Sequence, residues 1–289
     1  FGPDGDLYVA HKPNDSDSEI LRFDGDTLEF IDVYLDAPQL SPFDIVEIVF
    51  SPQGDLHIVS GRHGGSISRY EESTSQFSLI VGEGLLQSPG RAQFGTNGHL
   101  YLSDTYLDTI FEFNPINGTL IDESNFAGYL NGAFTLQDDG SILAILDRNS
   151  IVKYQPSESI SIDVIVDNTD GLDQAGKLEI GIDDLVYVGD INYGLFRIDP
   201  TTGDVTDLDT SYVSARAFVF GPDGLLYSAS SVYRDGSYHY GIDRYREVNG
   251  ILVTEAFVSN SPISLGYITD VIFTPGGSLL VADGKNDRI

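Results

Sequence analysis

The chain has 289 residues, with 45 acidic against 15 basic side chains and a formal net charge of −30; so strong a negative field excludes a nucleic-acid backbone as partner. It contains no Cys, which removes disulfides, thiolate metal sites and thiol nucleophiles together. Its 41% hydrophobic residues suit a large globular core but nowhere form the ~18-residue apolar run of a membrane helix.

The opening stretch FGPDGDLYVA, from Phe1, is rewritten along the chain. It returns as FSPQGDLHIV from Phe50, FGTNGHLYLSD from Phe94, FGPDGLLYSA from Phe220 and FTPGGSLLVAD from Phe273. Looser copies are FTLQDDGSILAI from Phe134 and IGIDDLVYVGD from Ile180. Aligned on the turn glycine, the copies fall on Gly5, Gly54, Gly98, Gly140, Asp184, Gly224 and Gly277, a spacing of 40 to 53 residues that matches a four-stranded propeller blade.

Each copy predicts a first strand ending in the Phe column, a Pro-Asp-Gly type of reversal, and a second strand of the Leu-Tyr-Val-Ala type. Downstream, Ile20-Leu21-Arg22-Phe23, Ile67-Ser68-Arg69-Tyr70, Ile110-Phe111-Glu112-Phe113, Ile151-Val152-Lys153-Tyr154, Leu195-Phe196-Arg197-Ile198 and Ile242-Asp243-Arg244-Tyr245 share an apolar, variable, charged, apolar order and predict a third strand. Turn signals such as Asn114-Pro115-Ile116-Asn117-Gly118 then lead to a fourth, more variable strand at 27–35, 76–81, 159–166 and 251–258. No window carries a helical apolar stripe, so helix should be nearly absent.

We therefore expect an all-β chain: a single β-propeller domain over 1–289, built of four-stranded antiparallel blades, with repeats beginning near 1, 50, 94, 134, 180, 220 and 273. Seven turn positions give a seven-bladed first count, five blades complete and the chain incomplete at both termini; six and eight blades stay open. Phe1 falls at the end of a first strand and Ile289 opens a third, with neither initiator Met nor signal peptide, so the chain reads as part of a longer one. Asn14 and Asn117 begin glycosylation sequons, at a frequency near chance.

The stretch Val281-Ala282-Asp283-Gly284-Lys285-Asn286-Asp287-Arg288-Ile289 resembles the NHL-repeat signature, with weaker versions at Leu102-Ser103-Asp104 and Val188-Gly189-Asp190. As a repeat, the resemblance covers nearly the whole chain. It implies a propeller superfamily that includes gluconolactonase-type metal-dependent hydrolases, streptogramin lyases, peptide-amidating lyases and binding modules without catalysis.

In such propellers the ligand face resembles a ring made by the starts of first strands and the ends of second strands. Three residues before the Phe column stand Glu47, Arg91, Asn131, Lys177, Ala217 and Asp270; the second-strand ends give His11, Ser60, Asp104, Asp147, Asp190, Ser230 and Asp283. On one reading Glu47, Asn131 and Asp270 converge on a channel and hold Ca²⁺ or Mg²⁺ through oxygen ligands, as the gluconolactonase resemblance implies. The chain lacks that family's Glu-Gly-Pro-x-Trp opening and has no Trp. On the other reading Arg91 and Lys177 pair with Glu47 and Asp270, and Asp104, Asp190 and Asp283 cap their own turns. His11 and His63 follow second strands and are the candidate acid/base groups. The insertion carrying Tyr233, Tyr238, His239 and Tyr240 reads as a recognition loop for sugar or peptide, or as a plain long hairpin.

Two functions follow. The first is an extracellular or cell-surface binding or scaffold module that takes protein, peptide or carbohydrate at the propeller face, or assembles with itself. The second is a metal-dependent lactone hydrolase or lyase acting at the channel, with His63 or His11 as acid/base.

Overall fold

Seven backbone turns of one kind set the frame of the chain. At each repeat the residue after the Phe column donates its amide to a carbonyl four residues on, and its own carbonyl accepts the amide three residues on, as in Gly2 N–H to Asp6 O and Gly5 N–H to Gly2 O. The residue closing the turn is left-handed in all seven: Gly5, Gly54, Gly98, Gly140, Gly224 and Gly277 have φ of 75 to 93°, and Asp184 stands there at 61°. Such a turn, closed by a left-handed residue, matches the twist of the strands it joins. The computed structural model describes every residue except 13–17, 37–44, 62–63, 157–161, 168, 209–212, 235, 249–250, 259–264 and 287–288.

Among the described residues there are 25 strands and no helix, in seven antiparallel sheets whose strands are neighbours in chain order. The first holds β1 (Leu7–His11), β2 (Glu19–Phe23) and β3 (Phe30–Asp36). The second holds β4 (Ile45–Phe50), β5 (Leu56–Ser60), β6 (Ser66–Glu71) and β7 (Gln76–Val81); the third holds β8 (Pro89–Phe94), β9 (Leu100–Asp104), β10 (Thr109–Phe113) and β11 (Leu120–Asn125). The fourth holds β12 (Leu130–Leu136), β13 (Ile142–Leu146), β14 (Ser150–Tyr154) and β15 (Ile162–Val166); the fifth holds β16 (Ala175–Ile180), β17 (Val186–Asp190), β18 (Gly194–Ile198) and β19 (Val205–Asp207). The sixth holds β20 (Val213–Phe220), β21 (Leu226–Arg234), β22 (Ser237–Val248) and β23 (Ile251–Val258), and the seventh holds β24 (Ile268–Phe273) and β25 (Leu279–Asp283). Seven sheets, five of them with four strands, agree with the seven repeats and with the incomplete blades expected at either end.

The chain forms two compact units, Phe1–Asp147 with Lys153–Ile162, and Arg148–Val152 with Asp163–Ile289. In the first, the core lies between consecutive sheets: Tyr8, Ile20 and Leu35 meet Leu56 and Ile58, and Val59, Ile67 and Val81 meet Leu100, Leu102 and Phe113. In the second, Tyr187 and Leu195 meet Phe218, Leu226 and Tyr245, and Tyr227, Ala229 and Ile242 meet Ile268 and Val271.

The repeated motif is legible in these contacts. In three of the four copies that carry it, the Tyr of the second strand packs edge-on against the Phe that ends the next first strand: Tyr8 on Phe50 at 4.7 Å, Tyr187 on Phe220 and Tyr227 on Phe273, both at 4.9 Å. In the second sheet His57 takes the Tyr place, 5.2 Å from Phe94. The same Tyr ring lies over the residue after the Phe column, where a Cβ would come within 2.4 to 2.8 Å of it at Gly2, Gly95, Gly181 and Gly221. That residue is Gly in the copies that carry Tyr, and Ser51 or Thr274 in copies whose second strand carries His57 or Leu280 instead. The Asp of the turn completes the motif by accepting the Tyr hydroxyl, as in Tyr8 to Asp4 at 2.8 Å, Tyr187 to Asp183 at 3.0 Å and Tyr227 to Asp223 at 2.8 Å.

The fourth copy departs from its sequence alignment. Its turn runs from Gln137 to Gly140, and Leu136 pairs with Ile142 as Phe50 pairs with Leu56. Leu136, not Phe134, thus ends the first strand, because two extra residues separate Phe134 from the turn glycine. Ala133 therefore holds the place of Glu47, and Asn131 lies two residues further back.

Candidate binding site on the bulged first strands

Every first strand among the described residues breaks register at the same place. The pairing shifts between Ile45 and Glu47, Pro89 and Ala92, Leu130 and Phe134, Ala175 and Lys177, Val213 and Phe218, and Ile268 and Asp270. A bulge frees backbone groups from the ladder and re-aims the side chains beside it. Side chains then take up some of those groups. In the first unit Ser103 Oγ donates to Gly132 O at 3.0 Å, and in the second Lys177 Nζ donates to Phe218 O at 2.6 Å.

At this place stand Glu47 and Arg91 in the first unit, and Lys177 and Asp270 in the second. Lys177 lies 3.9 Å from Asp270, 4.0 Å from Glu179 and over the Phe218 ring, so its charge is held inside the site. Arg91 is half-buried, and its guanidinium has no hydrogen bond or ion pair among the described residues. Asn131 accepts the Ala133 amide at 3.0 Å, and Asp270 accepts the Val271 amide at 2.9 Å. A hard cation would have to displace Lys177 from Asp270 and the amide from Asn131. Among the described residues no three His, Cys, Asp or Glu side chains gather as a metal-binding group.

Of the acids at the second-strand ends, Asp104, Asp190 and Asp283 are buried and face the backbone, while Asp147 is exposed. Asp104 is fully buried: Oδ2 accepts the amides of Gln87 and Ser88, and Oδ1 those of Tyr106 and Leu107. Asp190 repeats this with Asp173, Gln174, Asn192 and Tyr193. Asp283 accepts the Gly266 amide and the Asn286 side chain, and Asp147 accepts the Tyr129 amide. Asp104, Asp190 and Asp283 thus hold the connection entering the third, fifth and seventh sheets against the residues that follow the second strand.

His11 stands at the end of β1, half-exposed, with Nδ1 2.8 Å from Glu19 Oε1. His63 and Asn14 lie outside the described residues. Asn117 is exposed in a turn, where its Oδ1 accepts the Thr119 amide. The insertion forms a long hairpin: Tyr233 pairs with Tyr238, Val232 with His239 and Ser231 with Tyr240 as β21 and β22 extend, and His239 is exposed. The polar clamp of each turn was not foreseen from sequence, although the charged position of the third strand is its signal. Arg69 binds Asp55 at 2.7 Å and Lys153 binds Asp139 at 3.1 Å; in the third sheet the signs reverse, with Glu112 taking His99 and Asn97.

No protein-family model and no curated protein sequence matches the chain. Solved structures do. Virginiamycin B lyase from Staphylococcus aureus is similar with a TM-score of 0.68 at 15% identity, over 96% of this chain and 92% of that one. A candidate 6-phosphogluconolactonase from Bacteroides uniformis gives 0.66 at 16% identity, over 96% and 88%. YCF48 bound to the D1 peptide gives 0.64 at 10% identity, over 95% and 84%. The fold is thus a β-propeller, as in these structures. No helix among the described residues is long and apolar enough to cross a membrane.

Proposed function

We propose that the chain is a recognition module that binds an extended peptide at the bulged first strands, in an extracellular or cell-surface setting. One observation carries this reading: within each unit the repeated scaffold offers a different side chain at the same bulge, Glu47 and Arg91 in the first and Lys177 and Asp270 in the second, while the neighbouring acids are consumed by backbone amides. Variable chemistry on a repeated frame suits reading a ligand of mixed charge, and Arg91 is the cation left to receive an acidic group. YCF48, a propeller of similar fold, is seen with a peptide. The acid excess with few Lys suits a salty or calcium-containing medium. The test is a mixed peptide and glycan array probed with the wild type and with Glu47→Gln/Arg91→Ser. Peptide binding that falls at least tenfold in the variant at an unchanged melting temperature supports the reading; unaffected binding, or binding to glycans alone, overturns it.

A second reading rests on His11, whose ring is oriented by Glu19 as a general base would be. It makes the chain a metal-dependent hydrolase or lyase, with Ca²⁺ or Mg²⁺ on Glu47, Asn131 and Asp270. A melting temperature lowered by EDTA, together with lactone hydrolysis that His11→Ala abolishes, would establish it. No EDTA effect would remove it.

A further inference from the structure

The first strands of the third and fifth sheets carry a cation at the same place, three residues before the strand ends: Arg91 on β8 and Lys177 on β16. In each, the next side chain on that side of the strand stands two residues on, Gln93 in one and Glu179 in the other. The register agrees, with Gln93 opposite Tyr101 and Glu179 opposite Tyr187. The surroundings of the two cations differ. Lys177 lies 4.0 Å from Glu179 and 3.9 Å from Asp270 and donates to Phe218 O, so its charge is balanced within the second unit. Arg91 has a neutral amide where Lys177 has a carboxylate.

That amide does not pair with it. Gln93 Oε1 is buried and without a hydrogen-bond partner, and the half-buried Arg91 guanidinium forms no hydrogen bond or ion pair among the described residues. An acceptor and a charged donor two residues apart on one strand are thus both unmet, a local conflict of the kind that native chains keep at functional sites. A Glu at position 93 would resolve it, as Glu179 does beside Lys177. We propose that Gln93 is a specificity-determining residue: because it offers Arg91 no carboxylate, the third-sheet bulge is left to take an acidic side chain of the ligand, while the fifth-sheet bulge is neutralised from within. The inference rests on the peptide reading above and adds which bulge reads an acid and what sets that choice. Arg91 makes the contact, since a planar guanidinium receives a carboxylate through two parallel N–H donors. Gln93 acts through Arg91.

The probes are short peptides made as twins, Glu in one and Gln in the other at a single position, with acetylated and amidated ends so that the side chain is the only carboxylate. Their affinities for the whole chain are measured by titration calorimetry. The wild type should bind the Glu twin at least about tenfold more tightly, the worth of one charged hydrogen bond. Gln93→Glu supplies the internal counter-ion and should bring the twins to within about twofold of each other; Arg91→Met should do the same. Gln93→Met, which stays neutral, should keep the preference for Glu. Melting temperatures establish that each variant is folded, and if Gln93→Glu is not, the other two variants decide the matter. Twins bound alike by the wild type, a Glu preference that survives Gln93→Glu, or one lost equally in a folded Gln93→Met chain would overturn the proposal and leave the peptide reading standing. Binding of no peptide at all would overturn both.

Discussion

At the scale of single residues, buried polar groups do defined work in this chain. Asp104 takes four backbone amides with no exposure to water, so Asp104→Asn turns an amide group toward donors and leaves at least one of them unmatched. A loss of about 2–4 kcal/mol in unfolding free energy is expected from chemical denaturation. The turn glycines supply backbone freedom only: nothing lies within 4 Å of a Cβ at Gly98 or Gly140, so Ala there should cost about 1 kcal/mol through φ alone. Asp184→Gly at the equivalent turn should stabilise by up to the same ~1 kcal/mol. His57 is buried on Phe94, with Nε2 2.8 Å from the Pro115 carbonyl; burial pushes its pKa below the ordinary 6.5, despite the opposing pull of that carbonyl. The unfolded chain then binds the proton more readily than the folded one. The stability this His contributes is complete above about pH 6.5 and is lost as pH falls from there toward its lowered folded value. His57→Gln should flatten the stability profile between pH 7 and 5 by no more than about 1.4 kcal/mol per pH unit, measured as the difference from wild type.

At the scale of the element, three pairs of consecutive sheets are tied by a Gly, a Tyr and a Phe: Gly2, Tyr8 and Phe50 in the first unit, and Gly181, Tyr187 and Phe220 with Gly221, Tyr227 and Phe273 in the second. Gly221→Ser places a Cβ 2.7 Å from the Tyr227 ring, and Tyr227→His removes that ring edge, reproducing the Ser51 and His57 pair of the second sheet. A double-mutant cycle on these positions should show coupling of about 1–2 kcal/mol, with the double variant more stable than the sum of the singles predicts; additive effects would contradict the packing account. The Gly column, the Phe column outside the fourth copy, the third-strand pattern and β7 and β23 to their end residues were readable as sequence, because turn geometry and two-residue alternation select residue types. The bulges were not. A bulge is a hydrogen-bond irregularity with no fixed residue type, and the sites carry Glu47, Lys177 and Asp270 alike. Asn131 was displaced for a related reason, since the extra residues before Gly140 are visible only once the turn amides are paired. The capping of turns by Asp104 and Asp190 was legible as one of two readings, but not their further amide partners 16 and 17 residues upstream.

At the scale of the molecule, the formal charge is −30, and several of the acids that make it stand in turns. Asp24 and Asp199 each accept two amides inside a β-turn, and these bonds hold both carboxyls below the usual carboxylate range. Acids placed to cap local turns still repel one another at longer range, beyond the ~10 Å screening length of 0.1 M salt. The melting temperature should therefore rise between 10 mM and 500 mM NaCl, and a fall would show that attractive pairs such as Arg69–Asp55 dominate. The central claim concerns the bulges as the place where a ligand is read. Amide hydrogen exchange of the whole chain, with and without a peptide selected on the array, tests it most directly. The account predicts slowed exchange concentrated at Glu47, Arg91, Lys177 and Asp270 and their bulge neighbours; protection confined to the fourth strands β7, β11 and β23, or no protection at saturating peptide, would contradict it.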